Sequence, residues 1–184
     1  MAEAAVGTPD IVPTALARPR FFGVLWWVSL LTIVLDQATK ILVNATLPLY
    51  DSRTIIPNLM DLVHVHNAGV AFGLLNGADH PQRGLLTTGL ALVALVGIAY
   101  YARHVRSEER MARLGLSLIL GGAVGNLIDR MRQGYVIDFV DVYWGDWHFW
   151  AFNVADAAIS VGAALVFVDV LFLNRHASHP VSDR

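Results

Sequence analysis

An all-α integral membrane protein, with four transmembrane helices and a small extracytoplasmic β-containing element, is the fold the sequence predicts. Three observations predict it. Of 184 residues, 55% are hydrophobic and only 15% charged, and mean hydropathy is +0.53; a water-soluble domain of this size could not bury so large an apolar share. The apolar residues collect in runs at about 21–43, 84–102, 111–130 and 149–173, long enough to cross a hydrocarbon core of roughly 30 Å at about 1.5 Å per residue. Basic residues are divided unevenly between the two sides. Arg18, Arg20, Arg103, Arg106, Arg110, Arg113, Arg175 and Arg184 fall on one side, against Lys40, Arg53, Arg83, Arg130 and Arg132 on the other, which places both termini in the cytoplasm.

Residues 1–20 are small and Pro-punctuated, and are expected to form a disordered cytoplasmic tail. The run from Phe21 to Val43 exceeds the roughly 7–15 residues of a signal-peptide apolar region and carries Asp36 and Lys40 near its end, so it reads as a retained helix. Residues 44–83 form the first extracytoplasmic segment, broken by Pro48, Pro57 and Pro81. Within it Leu62-Val63-His64-Val65-His66 alternates like a short strand, and Asn67-Ala68-Gly69 reads as a turn. Residues 131–148 form the second such segment, 174–184 a cytoplasmic tail, and 21–173 a single membrane domain. The chain has no cysteine, which excludes disulfides, thiol nucleophiles and Cys-based metal sites. A formal net charge of −2 argues against nucleic acid as a partner.

With that topology the polar residues of the spans gather at the outer face, where ionisable groups at membrane depth point to function. Asp36 and Lys40 share a helix face at i, i+4. Gly121 and Gly125 have the GxxxG spacing of close helix packing. Gly122, Asn126 and Arg130 recur every four residues as one stripe, with the Arg130 guanidinium suited to bidentate bonding of carboxylates. His64 and His66 lack a third ligand at metal-binding spacing, so no metal site is expected. Asn153 and Asp156 are read on one face of the fourth helix, with Asp156 about 10 Å along a run that starts at Phe149. Two carboxylates held close keep one proton between them. The charged one can then take a proton from water while the neutral one donates to a leaving group. Spacing leaves open which of Asp129, Asp138, Asp141 and Asp156 form that pair.

Five blocks then carry a family resemblance: Asp36-Gln37-Ala38-Thr39-Lys40; Asn67-Ala68-Gly69-Val70-Ala71-Phe72-Gly73; Gly121 through Arg130; Val136-Ile137-Asp138-Phe139-Val140-Asp141-Val142; and Phe152-Asn153-Val154-Ala155-Asp156. In this order, over residues of roughly 21–173, the chain resembles bacterial lipoprotein signal peptidase, the signal peptidase II family. The resemblance implies an aspartic endopeptidase of the cytoplasmic (inner) membrane. It would cut signal peptides from prolipoproteins just before a diacylglyceryl-modified cysteine, with membrane lipids around it and no cofactor. Asp138 and Asp156 would be the catalytic pair at the outer face. Asp36, Lys40, Asn67, Gly122, Asn126, Arg130 and Asn153 would build and brace the pocket, with Asp141 in support, and a monomer is expected. The rival expectations are a small proton-coupled transporter or channel, because intramembrane acids and bases also suit proton relays, and a scaffold whose polar residues only join helices.

Overall fold

A computed structural model describes residues 24–69, 83–105 and 108–173. The two expected tails, the first residues of the 21–43 run and the Val70–Gly73 part of the second motif lie outside the described residues. The chain order is α1 (Val24–Thr46), β1 (Ser52–Ile56), β2 (Met60–Asn67), α2 (Arg83–Ala102), α3 (Arg110–Gln133), β3 (Val136–Trp144), β4 (Trp147–His148) and α4 (Val154–Val168), which runs on as a π-turn over Asp169–Leu173. Among the described residues, Trp26–Thr46, Arg110–Gln133 and Val154–Phe172 are long and apolar enough to cross a membrane, while the apolar part of α2 is shorter, Leu86–Ala102.

Helix α3 is the centre of the bundle and packs against all three other helices. Its glycines make this possible on two faces. A Cβ at Gly121 or Gly125 would press on Ser29, Thr32 or Asp36 of α1, and one at Gly115 or Gly122 would strike the carbonyl oxygens of Gly162 or Ala155 on α4. Small residues thus let backbones approach where hydrocarbon supplies no hydrophobic drive between helices. The GxxxG pair of the sequence serves α1, and Gly122 serves α4. Elsewhere Trp27, Ile41, Leu42, Val93, Val96, Phe167 and Phe172 stay exposed, the all-round apolar character of helices solvated by lipid.

The helix α3 stops at Gly134, whose φ of 80° and N–H bond to the Arg130 carbonyl form a left-handed cap. The chain then enters β3. Four antiparallel strands in the order β1-β2-β3-β4 form one sheet, packed on the end of α1 through Val43, Leu47 and Phe139. The strand expected over Leu62–His66 is present as β2. Residues 131–148, read as a connector, instead supply two strands, because Val136–Trp144 is a run rich in β-branched and aromatic residues that suits a sheet.

The helix expected to begin at Phe149 begins at Val154. The Phe149 N–H bonds to the Val142 carbonyl, and Phe152 exchanges backbone bonds with Val140, so these residues extend the sheet. Asn153 then caps α4, its side chain accepting from the Asp156 N–H at 3.0 Å while Asp156 Oδ2 accepts from the Asn153 N–H at 3.3 Å. This reciprocal capping box starts the helix where apolar content alone had put it five residues earlier. Asp156 therefore sits in the first turn, not about two turns inside.

Candidate active site

The cap that starts α4 also delivers the site. Asn153 is 1% exposed, and its Nδ2 donates to Asp138 Oδ1 at 2.7 Å. The other Asp138 oxygen accepts from Asn67 Nδ2 at 2.9 Å. Asp156 Oδ1 accepts from Asn126 Nδ2 at 2.8 Å. Three asparagines, from β2, α3 and the α4 cap, thus hold two carboxylates by neutral amides. Among the described residues neither Asp138 nor Asp156 has a hydrogen-bonded cation, yet each is close enough for charge to act between them. Burial pushes the Asp138 carboxyl up to about 6, and the Asp156 charge pushes the same way; bonds from Asn67 and Asn153, and the Lys40 charge, pull it back.

A second carboxylate pair lies one layer deeper and is built differently. Lys40, 2% exposed, sits 2.9 Å from Asp36 Oδ2 and 2.8 Å from Asp129 Oδ2, and donates to Asn126 Oδ1 at 2.9 Å. The contacts to Asp36 and Asn126 are hydrogen bonds and the one to Asp129 is an ion pair by distance. Gln37 Nε2 bridges Asp36 Oδ2, the Gly125 carbonyl and Asp129 Oδ1 at 3.0–3.2 Å. Asp36 Oδ1 accepts the Ala155 N–H at 2.9 Å, satisfying one of the open amides at the start of α4. Asn126 joins the two layers, taking Lys40 and Asn153 Nδ2 on its oxygen and giving its amide to Asp156.

Of the residues singled out in the sequence, Asp36, Lys40, Asn67, Asn126, Asp138, Asn153 and Asp156 are brought together, and Gly122 admits the α4 backbone beside them. Two expectations change. Arg130 makes no bidentate bond to a carboxylate among the described residues; its Nη1 lies 3.5 Å from the Asn126 carbonyl, and it acts on Asp156, Asp138 and Asp129 by charge at a distance. Lys40, buried between two acids, is the paired cation instead. Asp141 stands outside both layers, 2.8 Å from His148 Nδ1 on the sheet. Sequence reading passed over Gln37, although it lies inside the first block, and left Asp129 among open alternatives; its place one turn after Asn126 was the signal for a shared face. No group of three or more His, Asp or Glu side chains suited to a metal occurs among the described residues.

The chain is similar to known proteins in sequence and in fold. The family described as signal peptidase (SPase) II matches residues 28–172. The lipoprotein signal peptidase of Geobacter metallireducens is 48% identical over 159 residues, covering 86% of this chain and 95% of that protein. That of Pseudomonas putida is 40% identical over 169 residues, covering 91% and 98%. Two solved structures, both described as bacterial membrane enzymes, superpose with TM-scores of 0.76 and 0.72 at 25% and 27% identity. They cover 91% and 84% of this chain, and 98% and 97% of their own. None of these matches supports the transporter or channel alternative. With the matched region containing every one of the gathered polar residues, the chain belongs to the signal peptidase II family.

Proposed function

We propose that this protein removes signal peptides from prolipoproteins as an aspartic endopeptidase, cutting just before a diacylglyceryl-modified cysteine. The observation that carries the chemistry is the pair Asp138 and Asp156, the first buried and the second half-buried, both held by amides, neither bonded to a cation among the described residues. Such a pair keeps one proton. The ionised carboxylate takes a proton from water as its oxygen attacks the scissile carbonyl carbon; the protonated partner first supports the carbonyl oxygen. Collapse breaks the C–N bond, and a proton passes to the leaving cysteine nitrogen. The asparagines fix both carboxylates without quenching their charge. Arg130, whose guanidinium has no ion pair among the described residues, would with Asn67 meet the scissile backbone or the lipid end of the substrate.

In this reading all four helices span the cytoplasmic membrane, both termini are cytoplasmic, and a monomer suffices. The sheet and the carboxylate pair lie at the outer face. A precursor's signal helix then enters sideways from the bilayer while its acyl chains stay in lipid and water reaches the pair from outside. The test is incubation of the purified protein with a diacylglyceryl-modified precursor and its unlipidated counterpart. Cleavage of the first alone, undiminished by chelator, is expected; cleavage of neither, or equally of both, would overturn the reading.

A further inference from the structure

His64 and His66 lie on β2 and take no part in the chemistry above. His64 still bonds on the β1 side, its N–H to the Asp51 carbonyl and its carbonyl to the Tyr50 N–H; past it β2 has no pairing on that side, and a register irregularity against β3 falls between Leu62 and Val65. Val65, His66 and Asn67 are therefore laddered to β3 alone, opposite Asp138, Ile137 and Val136. A strand end with one bonded edge is prone to fray, and this end carries the amide that meets Asp138.

The two imidazoles supply the missing restraint. His64 is 3% exposed, and its Nδ1 lies 2.8 Å from the carbonyl oxygen of Leu47, the residue that follows α1. The His66 ring stacks on Tyr135 at 3.8 Å between centroids and 20° between planes; Tyr135 follows the Gly134 cap of α3. The two histidine rings meet edge to face at 5.2 Å. Residues two apart on one strand thus tie its free end to the ends of α1 and α3, the helices that carry Lys40 and Asn126. The Nδ1 contact of His64 is the geometry of a ring nitrogen bonded to a carbonyl. Among the described residues, Nε2 of both rings is buried without a hydrogen-bond partner. Burial, and then the neighbouring His64, lower the His66 value. Beyond the pair, the Gly69 N–H donates to Asn67 Oδ1 at 3.0 Å, which turns the Asn67 NH₂ toward Asp138.

We propose that His64 and His66 are positioning residues, a packed pair that pins the end of β2 between two helix ends so that Asn67 stays within bonding distance of Asp138. The kinetic consequence rests on the peptidase reading; the geometric one does not. Two readouts separate them: the pH dependence of kcat for the lipidated precursor, and the protonated-carboxyl infrared band assigned to Asp138 by its loss in Asp138→Asn.

Removing the Asn67 bond, which favours ionised Asp138, moves that protonation step upward from about 6. His66→Ala and Tyr135→Ala should move it upward too and lower kcat up to about 100-fold, the scale of a misplaced catalytic contact. Little change in KM is expected. His66→Phe, which keeps the stack, and His64→Asn, which keeps a donor for the Leu47 carbonyl, should stay near wild type. In an Asn67→Ala background, His66→Ala should add nothing further. Should His66→Ala fail to fold, Tyr135→Ala breaks the same stack without touching β2. An unmoved infrared step, or an effect that adds in full to Asn67→Ala, would overturn the positioning role. A normal infrared pattern with no cleavage by wild type would count against the peptidase reading alone.

Discussion

Two pairs of aspartates sit within one network, and they are held in opposite ways. Asp36 and Asp129 share the ammonium of Lys40, a buried charge matched by buried charge. Asp138 and Asp156 receive neutral amide donors and, among the described residues, no bonded cation. The first arrangement fixes geometry and so suits a brace. The second leaves the cost of ionising Asp138 only partly offset, with its carboxyl pushed up to about 6, which suits the acid–base role proposed for the pair. Among several acids, the proposed reactive pair is set apart by having no bonded cation among the described residues.

The comparison breaks first at the reactive pair. Asp138→Asn and Asp156→Asn should each lower kcat roughly 10³–10⁴-fold, as loss of acid–base participation does, measured on a lipidated precursor; retention of a tenth of the activity by either would reassign it. The same variants separate function from stability. Burial holds the folded value of Asp138 above the ordinary carboxyl value of 3.8, so its ionisation opposes folding: nothing is lost below about pH 4, and the cost accrues as pH rises to about 6. It amounts to at most about 3 kcal/mol, at about 1.4 kcal/mol per unit. The melting temperature of Asp138→Asn relative to wild type should therefore rise across pH 4–6, and a flat difference would contradict the burial of an uncompensated carboxyl.

Lys40→Met should cost about 3–5 kcal/mol, because two buried carboxylates lose their cation, and this reads out as a large drop in melting temperature in detergent. Adding Asp129→Asn should recover part of it. A variant that melted normally but failed to cleave would make Lys40 catalytic and dissolve the distinction between the two pairs. Gly122→Ala should cost about 1–3 kcal/mol by forcing α3 from the Ala155 backbone, with activity lost in proportion to the displaced Asn153 and Asn126. Asp141→Asn, outside both layers, should change stability and kcat least, by less than about 1 kcal/mol; an effect near that of Asp138 would show that the network extends along β3.

Much of the fold was legible because hydrocarbon imposes simple rules. Apolar run length located four helices to within a few residues, and the paired glycines of α3 foretold its close packing. The start of α4 was misplaced because Phe149 and Trp150 are as apolar as helix residues, while the local signal that outranked them, Asn153 with Asp156 three residues on, was read as one helix face. The β3 strand was passed over for a similar reason: its aspartates drew attention as chemistry and obscured a run of Val, Ile, Phe and Tyr.

The site was legible as a set of residues and not as a wiring. Asp36, Lys40, Asn67, Asn126, Asn153 and the candidate acids stand out by type, since polar groups at the ends of apolar runs need partners. Spacing gave one of the lysine's acids, Asp36 four residues before Lys40, and not the other: Asp129 reaches it across the α1–α3 contact that Gly121 and Gly125 permit, while Arg130 makes no ion pair among the described residues. The sequence by itself determined the solvent, the helices and the inventory of groups, because those follow from local composition and period. Only the tertiary structure decided the assignment of one cation to one pair of carboxylates and three amides to the other. Hydrogen bonds and ion pairs act over about 3 Å, and only packing sets which groups come that close.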